Sequence, residues 1–359
     1  LKSRISIGGL KNMALRKTLY GTKGFQTPFL ILLFAAILFW MSLPCEPSFA
    51  GEPIPVFVSI PPQKYFVEKI GGNLVKVFVM VPPGANPHIY EPRPNQMAAL
   101  SKARIYFAIG VTFEDAWLPR FAKLNPQMRI VHTDKGVEKM AMVAHHHNEE
   151  KGVKNKERTK HTHRDDAHGA LDPHVWVSPP EVKIIARNIL EALLEIDPAN
   201  SLTYKSNHDA FIIEIEELDR DLKNIFSDKK GLKFMVYHPG WGYFARAYGL
   251  EQVPVEVEGK EPKPEQLKAL IEHSRKDGIK VIFVQPQFSI KSAEVIAKAI
   301  GGQVIFADNL SQDWERNLRE QAEKFKQALS GQTNKSTINW LSFSPLTPPS
   351  PPSRGRGEG

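Results

Sequence analysis

The strongest constraint in this chain is one long helical period in its middle. Asp197 can cap a helix, and Pro198 sits in the first turn, where a missing N–H costs little. Leu202, Phe211, Ile215, Leu218, Leu222, Ile225 and Phe226 then recur at helical spacing. A helix over 198–226 would be about 43 Å long, enough to run along two domains and fix their separation. Short apolar runs alternate with helical stretches on both sides of it. The first series predicts strands at 55–60, 73–81, 103–109 and 129–133, with helices at 63–70, 94–101, 114–124 and 179–194. The second predicts strands at 233–237, 281–284 and 303–307, with helices at 264–277, 290–300 and 311–329. Such alternation argues for parallel sheets covered by helices. The expected fold class is therefore α/β: two βα lobes, 51–197 and 227–330, each with a central mostly parallel sheet, joined by one long rigid helix at 198–226. The halves share no detectable sequence repeat.

The ends read differently. The formal charge of +8 invites a nucleic-acid reading, but residues 51–330 carry 38 basic and 37 acidic side chains. The excess lies at the termini, and no basic helix with interleaved aromatics marks a nucleic-acid groove. Residues 1–50 have the three-part pattern of an export signal: Arg16, Lys17 and Lys23, an apolar run from Phe29 to Leu43, and small residues Ser48 and Ala50 before Gly51. Leu1 is an unusual initiator, and Met13 is a plausible true start. Cleavage near Ala50-Gly51 and a periplasmic destination are expected. The apolar run is short for a membrane span. Cys45 follows Pro44, a poor setting for lipoprotein anchoring, and cleavage after Ala50 would leave no cysteine for a disulfide or thiolate site. Residues 331–359 end in a Pro/Ser/Gly/Arg-rich stretch expected to be disordered.

Twelve histidines demand explanation. His88 lies in the Pro-rich loop after the second predicted strand, and His174 just before a helix in Leu171-Asp172-Pro173-His174. His238 follows the apolar run Phe234–Tyr237, and Asp308 follows the run ending at Ala307. Ligand sites of open α/β sheets lie at the carboxyl ends of strands, which is where His88, His238 and Asp308 are placed. Three imidazoles and a carboxylate suit a borderline-soft divalent ion such as Zn(II) in closed four-coordinate geometry. His132, His208 and His273 read as surface or packing residues. Glu91, Glu256, Glu258 and Glu261 could reach a metal, but the stretch from Glu256 to Pro262 reads as a solvated turn.

The motifs around these four residues resemble one family: the periplasmic metal-binding proteins of zinc and manganese ABC importers, the cluster A-I or ZnuA/TroA-like group. The similarity covers roughly residues 54–330 and rests on PPGANPHIYEPRPNQ at 82–96, LDPHVWVSP at 171–179, YHPGWGYFARAYGL at 237–250 and the segment 284–310. It implies metal ligands at His88, His174, His238 and Asp308, a cleft between two lobes, and small closure limited by the long helix. It also implies an ABC permease and its ATPase as partners, with the receptor acting as a monomer. Manganese members usually carry a carboxylate at the third position, so His238 favours zinc. Two departures stand out. Asp308-Asn309-Leu310 replaces a common Asp-Pro-Leu, and Pro239-Gly240-Trp241 follows the third histidine, where Trp241 either walls the site or packs.

Residues 145–170 have almost no apolar content and are expected to form a mobile loop. His145, His146, His147, His161, His163 and His168 there are auxiliary metal candidates, able to gather ions weakly or exchange them with a periplasmic zinc chaperone. Rival readings are a manganese or iron receptor on the same scaffold, a surface adhesin, and a metallohydrolase. The last lacks HExxH and an evident general base, and the absence of GxGxxG sets a dinucleotide enzyme aside.

Overall fold

The computed structural model describes residues 52–142, 171–256 and 260–333. The leader (1–50), the histidine-rich segment with its six auxiliary candidates, Glu258 and the Pro-rich tail lie outside the described residues. The described part contains two four-stranded sheets, every neighbouring pair parallel.

The first lobe holds β1 (Ile54–Val58), α1 (Pro61–Gly71), β2 (Val75–Val79), α2 (Pro94–Leu100), β3 (Ile105–Ala108), α3 (Phe113–Leu124), β4 (Arg129–His132) and α4 (Pro179–Ile196). Its strand order is β2-β1-β3-β4. α5 (Ser201–Ile225) follows a short 3₁₀ turn at Pro198–Asn200. The second lobe holds β5 (Lys233–Val236), α6 (Gly242–Tyr248), β6 (Glu251–Pro254), α7 (Pro264–Lys276), β7 (Val281–Val284), α8 (Lys291–Ile300), β8 (Gln303–Phe306) and α9 (Trp314–Thr333). Its order, β6-β5-β7-β8, repeats that of the first lobe although the sequences do not repeat. In each lobe the order reverses at the first strand, so each sheet has a switch-point crevice at its carboxyl edge.

Two elements escaped the sequence reading: α6 and the edge strand β6. The β6 run, Glu251-Gln252-Val253-Pro254, is short and ends in proline, which demotes a strand on pattern alone. At a sheet edge the missing N–H is tolerated, and β6 pairs with β5 in the register Lys233↔Glu251 through Val236↔Pro254.

The hydrophobic core shows how the lobes are joined. Strand residues alternate between faces. In the second lobe Phe234, Val236, Val281 and Phe283 point into one continuous core that also contains the whole interior of the first lobe. Met235, Tyr237, Ile282 and Val284 point the other way, into a separate cluster with Leu270 of α7 and Ala293, Ile296 and Ile300 of α8. The long helix α5 contributes Tyr204, Phe211, Ile215, Leu218 and Leu222 to the shared core. It is not the sole connection. On α9, Trp314 packs edge-on against Phe66 in the first lobe, at a centroid distance of 5.1 Å. Further along the same helix Phe325 packs on Phe283 and Trp241 in the second, at 4.5 and 5.0 Å. Trp241 is fully buried there, so it packs the core and does not wall the cleft.

A buried carboxylate shapes the β3–α3 turn. Glu114 accepts from the backbone N–H groups of Ile109 (2.9 Å) and Gly110 (2.8 Å) and from the Ser59 hydroxyl (2.5 Å), which also contacts the Tyr106 hydroxyl. Burial outweighs these bonds and pushes its pKa up to about 7. A carboxyl raised on folding binds more protons in the native than in the unfolded state between the two values. Its stabilising contribution is therefore complete below about pH 4.5 and lost as pH rises through about 7, at about 1.4 kcal/mol per unit. Urea unfolding across this range should show wild type losing up to about 3 kcal/mol relative to Glu114→Gln as pH rises. Parallel pH profiles would show that Glu114 is not the titrating group.

Candidate metal centre

His88, His174 and His238 are each delivered by backbone geometry. His88 sits in the loop between β2 and α2. Its N–H donates to Asn86 Oδ1 at 2.9 Å, and the neighbouring Pro87 carbonyl accepts from Phe113 N at 3.3 Å, fixing the loop to the start of α3. His174 precedes a 3₁₀ turn leading into α4. His238 lies two residues beyond β5, with its carbonyl accepting from Gln285 Nε2 at 3.0 Å.

These placements bring the three rings together across the lobes. His88 Nε2 lies 3.1 Å from His238 Nε2, which lies 3.4 Å from His174 Nε2. Candidate ligand atoms of the three residues all fall within 4.8 Å of one another, the one such grouping of three or more His, Cys, Asp or Glu among the described residues. His174 and His238 are buried and His88 is half-buried.

The other nitrogen of every ring is already engaged. His174 Nδ1 is 2.7 Å from Asp172 Oδ1, His238 Nδ1 is 2.7 Å from Glu256 Oε2, and His88 Nδ1 is 3.0 Å from Thr112 Oγ1. A carboxylate only accepts, so a neutral imidazole beside it carries its proton on Nδ1. The Nε2 atoms of His174 and His238 are then lone pairs facing each other, and the Thr112 hydroxyl, which can donate or accept, lets His88 present a third. Lone pairs at this distance repel unless a cation lies between them. Tetrahedral Zn(II) with Zn–N bonds of 2.0–2.1 Å has ligand–ligand edges of about 3.3 Å, close to the spacings here. Burial, reinforced by the other two imidazoles, drops the pKa of His88 to about 3. Burial likewise lowers that of His238, with Glu256 opposing. Desolvation thus favours the neutral, metal-binding imidazole over imidazolium.

Asp308 stands apart from this trio. It is half-buried at the end of β8, and its Oδ1 accepts from Leu310 N at 2.8 Å. Burial raises its pKa against that bond, the Gln287 side chain and Lys324. Its loop nevertheless belongs to the pocket, whose lining includes His88, His174, Trp176, Phe288, Asn309 and Leu310. Of the other candidates, His132, Glu91 and Glu261 are exposed, and His208 contacts Asp209 on α5.

Three site features went unread in the sequence. Asp172 was within reach of pattern reasoning: two residues before His174, its Oδ1 accepts from both the backbone N (2.9 Å) and Nδ1 of that residue. Glu256 corrects the expectation of a solvated turn, being only 7% exposed. No local signal announces it, because the β5–β6 register alone sets it beside His238. The departure at Asn309 also has a role. Its carbonyl accepts from Trp176 Nε1 across the lobes at 2.6 Å, and its amide donates to the Gly240 carbonyl at 3.3 Å.

The sequence profile described as ZnuA, zinc-uptake complex component A, periplasmic, matches residues 56–328. The chain belongs to the ZnuA family. It is similar to the zinc-binding protein AdcA of Streptococcus pyogenes serotype M3, at 27% identity over 298 residues, 82% of this chain and 57% of AdcA. The chain thus spans little more than half the length of that relative. It is also 27% identical over 257 residues to the high-affinity zinc uptake system protein ZnuA of Bacillus subtilis, 70% of this chain and 77% of the relative. A solved structure of a zinc-bound ZnuA deletion mutant superposes with a TM-score of 0.68 at 40% identity, covering 77% of this chain and 98% of that one. The two-lobed α/β architecture expected from the sequence is therefore the family's.

The close approach of loops at this ZnuA-type centre makes Gly240 a sensitive position. A Cβ there would sit 2.5 Å from Asn309 Nδ2, 3.0 Å from Gln285 Nε2 and 3.4 Å from His174 Cδ2. Gly240→Ala should cost about 1–3 kcal/mol and lower the thermal midpoint by roughly 2–10 °C, read by circular dichroism.

Proposed function

We propose that this chain is an extracytoplasmic receptor that captures Zn(II) with high affinity in the interlobe cleft and delivers it to an ABC-type metal importer. The observation that carries the reading is the convergence of three imidazole Nε2 atoms whose Nδ1 atoms are already hydrogen-bonded elsewhere. His88, His174 and His238 supply three donors. Asp308, on the neighbouring loop, completes the set as the carboxylate. Family membership supports the transport role, with a permease and its ATPase as partners. A monomer exported with its leader cleaved near Ala50-Gly51 suits that role.

The same donors argue for carriage over catalysis. A catalytic zinc keeps a position open for water, and a hydrolase needs a free general base. Here Asp172 and Glu256, the carboxylates touching the rings, are both occupied as acceptors for Nδ1. Three imidazoles also favour Zn(II) over Mn(II), which prefers oxygen-rich octahedral sites. The auxiliary histidines at 145–147, 161, 163 and 168 supply weaker sites that raise the local ion concentration or exchange ions with a chaperone.

Anaerobic metal titration tests the proposal. Purified protein should show one tight zinc site. His238→Ala should weaken it by more than the roughly 10–100-fold that loss of an outer hydrogen-bond partner costs. Deleting 145–168 should leave the tight site and remove weak ones. Loss of the only tight site in the deletion variant would place the primary site outside the cleft. Direct competition should favour zinc over manganese, and manganese winning would move the chain to the other branch of the family.

A further inference from the structure

We infer that Glu256 is a positioning residue for metal capture: held beside His238 by strand β6, it fixes that imidazole's orientation and tautomer so that Nε2 faces the ion. The inference rests on the metal reading above and concerns a residue outside the ligand set.

The geometry is specific. β6 pairs with β5 in parallel register ending at Val236↔Pro254, and the pairing continues as Val255 N donates to the Val236 carbonyl (2.8 Å) and Glu256 N to the Tyr237 carbonyl (3.0 Å). Residue 256 is thereby set alongside residue 238. The carboxylate reaches Nδ1 at 2.7 Å in a place where both side chains are nearly dry, at 6% and 8% exposure. A second constraint acts at right angles to the first. Phe288 stacks on the His238 ring with centroids 4.6 Å apart and planes 16° from parallel. The in-plane bond stops ring flipping, and the stacked phenyl stops tilting.

The alternative is a structural ion pair that holds β6 to the sheet. That function is already served by the backbone bonds, which need no carboxylate. A buried carboxylate facing an imidazole does something backbone bonds cannot: it raises the donor strength of Nε2 and excludes the tautomer that would turn an N–H toward the ion. His88 has only the Thr112 hydroxyl in this position. The three ligands are therefore unequal, and His238, the one common to both short Nε2 contacts, is backed by an anion.

The test uses the full-length protein with Co(II) as a spectroscopic probe and Zn(II) by competition. Glu256→Gln preserves shape and one acceptor oxygen, so the visible bands of four-coordinate Co(II) should persist while affinity for both ions falls about 10–100-fold. Glu256→Leu should fall further and change the band pattern, because the ring is then free to turn. Circular dichroism confirms folding, and the isosteric Gln variant decides the matter if the Leu variant does not fold. Wild-type affinity in Glu256→Gln, with or without a lower melting point, would overturn the inference and leave the metal reading intact. Wild-type binding by His238→Ala would instead remove the metal reading, and this inference with it.

Discussion

On top of the core the two lobes share, a pair of indole hydrogen bonds ties together the loops that carry the site. Trp314 Nε1 donates to the Trp176 carbonyl, and Trp176 Nε1 donates to the Asn309 carbonyl, both at 2.6 Å. Trp176 stands two residues after His174, and Asn309 one residue after Asp308. The chain of bonds therefore runs from the shared core, through the loop bearing a first-lobe histidine, to the loop bearing the second-lobe carboxylate. Buried N–H groups unpaired in a dry interior are costly, so these loops are tied to one another rather than merely adjacent. Cross-lobe Nε2 spacings near 3 Å need such a tie. A freely hinged pair of domains would not hold ring nitrogens so close.

Much of this was legible from the chain itself. Strands buried on both faces read as near-continuous apolar runs, as in Ile105–Ala108 and Val281–Val284, and the βα alternation followed from them. The histidines were legible because His238 follows such a run, His174 precedes a helix and His88 lies in a Pro-rich loop after a strand. What could not be read was whatever depends on pairing between distant segments. β6 is a strand only because β5 lies beside it, and Glu256 is buried only because β6 is a strand. Asn309, in the sequence only a departure from Asp-Pro-Leu, is through tertiary contact a crosslink to Gly240. Trp241 is the reverse case: a conspicuous aromatic beside a ligand that turns its ring into the core.

The centre is also uneven in how firmly it holds its donors. His174 has a carboxylate from its own turn, His238 a carboxylate from a neighbouring strand, and His88 a hydroxyl from the next loop. His88 is also the most exposed of the three and is followed by Ile89, which is 78% exposed. Two donors are thus built into packed elements, and the third arrives on a Pro-rich loop whose anchorage is a few hydrogen bonds to the start of α3. Because the two lobes share a core, any movement at the site would fall to this loop.

The split of the second lobe's sheet between two cores has a further consequence. One face of β5 belongs to the large common core, whereas Met235 and Tyr237 on the other belong to the smaller cluster with α7 and α8. Proteins open in cooperative units, and a smaller cluster with its own boundary can open without the rest. Tyr237 and Val255, next to His238 and Glu256, both lie in that smaller unit. His238 and Glu256 thus sit beside the smaller cluster, while His174 is followed directly by Val175 and Trp176 of the common core. The three imidazoles lie where the two clusters meet, and an ion held by them would act as a rivet between the clusters.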